Sequence, residues 1–178
     1  MTNREPKSIP LSDEERRLLG LWAADCADRV LPLFEAKAPC DARPRQAIEG
    51  IRIFAHGGRR TAQLRTVALA ALAAAREVGD PIATAAARAA GYAAAIAYIH
   101  ALATPHQVNH VLGPAVQGAL ARELAAIDDP NAADEELRWA IRYAPFAVRQ
   151  IVQRLPGRRP GRSRLAALLY QLDAGLRH

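Results

Sequence analysis

Two histidines stand one helical turn apart in T-P-H-Q-V-N-H-V-L-G-P-A-V-Q-G-A-L-A-R-E, residues 104–123. Residues four apart on a helix share a face, so His106 and His110 can converge on one cation, one carboxylate or one buried neighbour. The helix that carries them is well signalled: Thr104 is suited to cap it and Pro105 to occupy its first turn. Gly113-Pro114 falls inside the same run. Proline removes a backbone hydrogen bond, so a kink is expected there, setting the histidine turn off from 116–126.

His56 ends an earlier predicted helix, and a bundle that brought it to the pair would make an open metal site of three nitrogens plus water. That arrangement resembles the histidine triad of the DinB-like four-helix bundles, in which one histidine precedes an H-x-x-x-H pair; the resemblance implies a metal-dependent enzyme using His56, His106 and His110. Against it, His56 adjoins the basic Gly57-Gly58-Arg59-Arg60, and no acidic neighbour in sequence is placed to orient an imidazole. The structural alternative holds His106 and His110 by backbone or by a carboxylate such as Glu35 or Asp25.

Other chemistry is poorly supported. The serines are Ser8, Ser12 and Ser163, of which the last two read as helix caps, so no catalytic triad assembles. Asp128-Asp129 and Asp134-Glu135-Glu136 lie in loop or first-turn positions, where negative charge complements a helix dipole. Gly57-Gly58 and the glycines of 157–161 follow no strand and match no phosphate-binding fingerprint. Cys26 and Cys40 lack C-x-x-C spacing and read as two buried, reduced thiols. No catalytic residue and no cofactor is assigned.

The elements that must position these groups are helices. Ser12-Asp13-Glu14-Glu15 is a capping box, followed by the apolar stripe Leu18, Leu19, Trp22, Ala23, Cys26 and Val30 until Pro32. After a loop over 38–41, a helix is expected over 44–54, with Ala47, Ile48 and Ile51 inward. A third runs over 61–78 to Gly79. Asp80 caps a fourth, which Pro81 opens and which ends near Leu102. Its Ala86, Ala89, Ala90, Ala93, Ala94 and Ala97 let a neighbouring backbone approach closely. Asn131 or Asp134 caps a helix through Trp139 and Ile141, Pro145 opens another through 151–155, and Ser163 caps the last, striped by Leu165, Leu168, Leu169, Leu172 and Leu176. The fold expected is an all-α, single-domain bundle of six to eight Ala-rich helices. Residues 1–10 form a flexible N-terminus, 11–178 the domain, and 156–162 a basic Pro/Gly loop.

Composition agrees: 178 residues suit one domain, and 51% hydrophobic with only 5% aromatic residues demands an aliphatic core rich in small side chains. No run is apolar enough to span a membrane and the opening M-T-N-R-E-P-K-S lacks a signal peptide's apolar core, so the chain reads as cytoplasmic. The net charge of +6 favours an anionic partner or an acidic protein surface. Arg154, Arg158, Arg159, Arg162 and Arg164 concentrate it in R-L-P-G-R-R-P-G-R-S-R. These arginines are the candidate partner-binding residues. A nucleic acid is a less favoured partner, because no interleaved aromatics or recognition signature accompany them.

Four segments in order suggest a family: L-S-D-E-E-R-R-L-L-G-L-W-A-A-D-C-A, D-A-R-P-R-Q-A-I-E-G-I-R-I-F-A-H-G-G, A-A-R-A-A-G-Y-A-A-A-I-A-Y-I-H and H-Q-V-N-H-V-L-G-P-A. Together they resemble the immunity proteins of the immunity-five-like, all-helical family of bacterial toxin systems, most clearly over 11–123. The resemblance implies a non-catalytic protein that binds and neutralises a cognate bacterial toxin. Because inhibitors of nucleases often mimic nucleic acid with acidic surfaces, a basic chain fits better a toxin with an acidic surface. A metal-dependent enzyme and a basic nucleic-acid binder remain alternatives, and an apolar helix face left exposed would permit a homodimer.

Overall fold

The computed structural model describes residues 8–100 and 102–178. Among them the chain forms α1 (Asp13–Asp28), α2 (Leu31–Glu35), α3 (Arg43–Ala55), α4 (Ala62–Glu77), α5 (Pro81–Ala95), α6 (Pro105–Ala125), α7 (Ala132–Arg142), α8 (Phe146–Arg154) and α9 (Arg164–Arg177). The all-α class is as expected. The count of nine exceeds the six to eight read from sequence because Pro32 does not merely stop the first helix. Its fixed φ suits a first turn, and it helps to open the five-residue α2. Most of the expected terminus 1–10 falls on residues 1–7, outside the described ones; Ile9 is buried in the core.

Local signals account for most helix starts. Ser12 accepts from the Glu15 backbone N–H while the Glu15 carboxylate accepts from that of Ser12, completing the capping box. Thr61, Asp80, Thr104 and Ser163 each accept from the backbone N–H three residues on. Asn131 takes the cap position of α7 without a side-chain bond. Gly79 adopts a φ of 69°, a left-handed conformation that costs glycine little and turns the chain sharply from α4 into α5.

Helix α5 is central, packed against α1, α2, α3, α4 and α6. All six alanines of its expected stripe are buried. Gly91 shows how tight this packing is: a Cβ there would lie 2.7 Å from Leu72 Cγ and 3.2 Å from the Ala68 carbonyl oxygen, so α4 and α5 approach where only hydrogen fits. Helix α5 ends at Ala95 rather than near Leu102. A single 3-10 turn, Ile96–Tyr98, follows, and Leu102 forms an isolated antiparallel bridge with Ser8.

Helix α6 is not divided at Gly113-Pro114; it runs continuously for 21 residues. Packing compensates for the lost bond, because residues 111–119 are buried between neighbouring helices. The stripe of α9 loses one member: Leu165 is 37% exposed, whereas Leu168, Leu169, Leu172 and Leu176 are buried. No helix among the described residues is long and apolar enough to cross a membrane.

The two cysteines differ. Cys26 is buried in α1, where burial first and the neighbouring Glu136 and Asp25 charges second push its thiol well above the usual range. Cys40, expected to be buried, is exposed in the turn between α2 and α3. The thiolate is the reactive species, so native protein should react rapidly with a thiol-specific chromogenic reagent at Cys40 alone, and at Cys26 only after denaturation. Two fast-reacting thiols in native protein would contradict this assignment.

Candidate functional site

His106 lies in the first turn of α6 and His110 one turn later. Their Nε2 atoms are 2.9 Å apart, one donating and the other accepting, and the rings meet edge to face with centroids 4.4 Å apart. Neither expected carboxylate serves them: Glu35 pairs with Arg45, and Asp25 with Arg52. Pro114 has no N–H to give the His110 carbonyl, so the histidine turn also carries a backbone acceptor without its helical partner.

His56 does not join the pair. It ends α3, exposed, with Nδ1 2.8 Å from the Arg52 carbonyl oxygen. Among the described residues no group of three His, Cys, Asp or Glu side chains is disposed to hold a metal ion. The three-histidine site is therefore not assembled, because α3 carries His56 to a different region from the α6 turn. His100 is the histidine that sequence spacing missed: it precedes α6 and adds to the electrostatic field at His110.

Burial first, then His106 and His100, lowers the His110 pKa below the ordinary 6.5. Its charged form is thus disfavoured in the folded state, and acidification through the ordinary histidine range weakens the fold at this position. An NMR titration should place the His110 midpoint below 6.5, and His106→Ala should raise it part of the way back, since burial remains. A midpoint at or above 6.5 would mean that water reaches this ring freely in the folded protein.

Beside the pair opens a cavity of about 230 Å³. Helix α6 contributes His106, Asn109, His110, Gly113, Val116 and Gln117; α5 contributes Tyr92; α9 contributes Leu165 and Leu169. Gly113 is required by this construction, since a Cβ would lie 3.0 Å from Tyr92 Cδ2 and displace the ring. Gln117 is only 4% exposed, and its Oε1 has no hydrogen-bond partner. A buried acceptor left unpaired is costly, and sequence patterning concealed it inside the apolar run of α6. A larger, more open depression of about 450 Å³ between α3 and α4, bordered by Glu49, Arg59 and Thr61, contains no such orphan.

The candidate arginines divide. Arg154 pairs with Glu15 and reaches the Pro10 carbonyl, and Arg164 pairs with Glu123 at 2.7 Å. Arg158 is half-buried, its backbone N–H donating to Asp173, while Arg159 and Arg162 are exposed. Much of the basic segment therefore fastens α8 and α9 to α1 and α6. Sequence reasoning overlooked a second surface at the α7–α8 turn, where Tyr143 is 58% and Phe146 74% exposed. Tyr143 stacks on Trp139 with centroids 5.0 Å apart, and the Arg29 guanidinium lies 4.2 Å from the Trp139 ring centroid.

Fold and surface together define an all-helical protein with a small cavity of mixed apolar and polar lining and an exposed aromatic edge. The chain belongs to the family described as Imm-5 like putative immunity protein, which it matches over residues 10–146, from the start of the core to the first residue of α8. No curated protein and no solved structure matches it.

Proposed function

We propose that this chain is an immunity protein that neutralises a cognate bacterial toxin by stoichiometric binding, without turnover. The family match spanning α1 to α7 carries the reading. The exposed Tyr143 and Phe146, flanked by exposed Arg138 and Arg142, supply the aromatic and arginine side chains that dominate protein-binding hot spots. The net charge of +6 suits a toxin surface of acidic character. Arg159 and Arg162 add exposed cations, and the expected setting is the cytoplasm.

The test is co-expression, in a sensitive host, with any toxin encoded beside this chain. Protection from killing, a 1:1 complex on size-exclusion chromatography, and loss of both in a Tyr143→Ala/Phe146→Ala variant that still folds are the expected results. Continued killing with this chain in excess, and no complex, would overturn the assignment. Protection that survives the double substitution would move the contact face elsewhere.

A further inference from the structure

We infer that His106 and His110 chelate one late divalent transition-metal ion, nickel(II) or copper(II), through their two Nε2 atoms. The geometry of the pair carries this. Two imidazole nitrogens held at about 2.05 Å by one ion stand about 2.9 Å apart when the angle at the ion is about 90°, and about 3.3 Å apart at the tetrahedral angle. The observed separation is 2.9 Å, so the pair presets the right-angle bite. The hydrogen bond between the rings accounts for the arrangement less well. A straight N–H···N bond would set the rings tip to tip, with centroids separated by 2.9 Å plus both ring radii, whereas they lie 4.4 Å apart. The two ring axes are therefore out of line, as those of two ligands on one ion are.

The surroundings suit this class of cation. His106 is exposed and His110 half-buried, so the pair is open to an ion from solvent. Both rings border the cavity of about 230 Å³, which no Asp, Glu, Lys or Arg lines. No fixed positive charge at its wall repels an ion, and no carboxylate there offers the oxygen ligands that Mg²⁺ and Ca²⁺ require. Two imidazole nitrogens at a right angle instead favour Ni²⁺ and Cu²⁺, whose tetragonal sites use such pairs, over tetrahedral Zn²⁺. The remaining positions on the ion fall to water, for which the cavity has room at roughly 30 Å³ per molecule. Among the described residues no third His, Cys, Asp or Glu completes the set, so the pair alone supplies the protein ligands. A spacing of four residues lets the ion clamp the first two turns of α6, the stretch in which Pro114 leaves the His110 carbonyl without its helical partner.

Isothermal titration with nickel chloride tests this on the full chain, untagged and carrying Cys40→Ser to remove the exposed thiol. One Ni²⁺ per chain should bind with a Kd below about 100 μM. The ion should also raise Tm, because it binds the folded helix. His106→Gln, at an exposed position that leaves the core untouched, should weaken binding by about tenfold or more, and His110→Gln likewise. His56→Gln and His100→Gln should bind as the parent does. Zn²⁺ should bind more weakly than Ni²⁺, and Mg²⁺ not at all. The assignment is overturned if no Ni²⁺ binds in that range, if folded His106→Gln binds as well as the parent chain, or if His56→Gln or His100→Gln loses the site. Tighter binding of Zn²⁺ than of Ni²⁺ would overturn the right-angle chelate.

Discussion

Replacing Trp22 with alanine should cost about 3–5 kcal/mol of stability, the range for truncating a large buried aromatic side chain. Trp22 is 2% exposed in α1, and its indole N–H donates to the Ala140 carbonyl oxygen at 3.0 Å, near the end of α7. Truncation removes three things at once: apolar burial in a core rich in alanine, the filling of a void that rigid helices cannot close, and the donor for a buried carbonyl. For a chain of this length the loss corresponds to a fall in Tm of roughly 6–20 °C. Trp22→Phe separates the contributions, since it keeps most of the volume and loses the donor, at an expected cost of about 1–3 kcal/mol. Denaturant titration with an unchanged m-value is the measurement. If Trp22→Ala and Trp22→Phe lose the same amount, the hydrogen bond rather than the packing is what Trp22 contributes.

Helix existence was legible in the sequence because its signals are local. Ser12, Asp80, Thr104 and Ser163 cap their helices through bonds spanning three residues, and the alanines of α5 declare a buried face by their period. What failed depended on distant residues. Cys40 follows an apolar helix yet reaches solvent, because burial of a turn is decided by what packs over it. The proposed triad needed α3 and α6 to meet at particular ends, which no spacing rule specifies. Gln117 was invisible for the opposite reason: one polar residue among buried neighbours looks like noise until the space beside it is known. The aromatic edge at Tyr143 and Phe146 was hidden likewise, since apolar residues near helix ends are usually core.

The same limit applies to the ion pairs that lock α1 to α7. Arg29 and Glu136 are 107 positions apart, yet Arg29 Nε lies 2.5 Å from Glu136 Oε1 and its Nη2 3.0 Å from Oε2. Arg122 of α6 approaches the same carboxylate at 3.5 Å and donates to the Arg29 carbonyl. Exposure is unequal: the Glu136 side chain is 6% exposed, those of Arg29 and Arg122 33% and 40%. The carboxylate therefore depends on its partners, whereas either guanidinium can turn to water. Arg29→Met should cost about 3 kcal/mol, because it leaves a buried carboxylate with only the more distant Arg122 and removes the cation stacked on Trp139. Glu136→Gln should cost only about 1 kcal/mol, since it keeps an acceptor for Arg29 and the released arginines remain hydrated. Arg29→Met/Glu136→Leu should recover part of the Arg29→Met loss, because the pair is then replaced by apolar side chains and no carboxylate is left buried. Denaturant midpoints for the three variants give the answer. Equal losses in Arg29→Met and Glu136→Gln would mean that direct attraction, rather than the cost of a stranded buried carboxylate, sets the energetics of this junction.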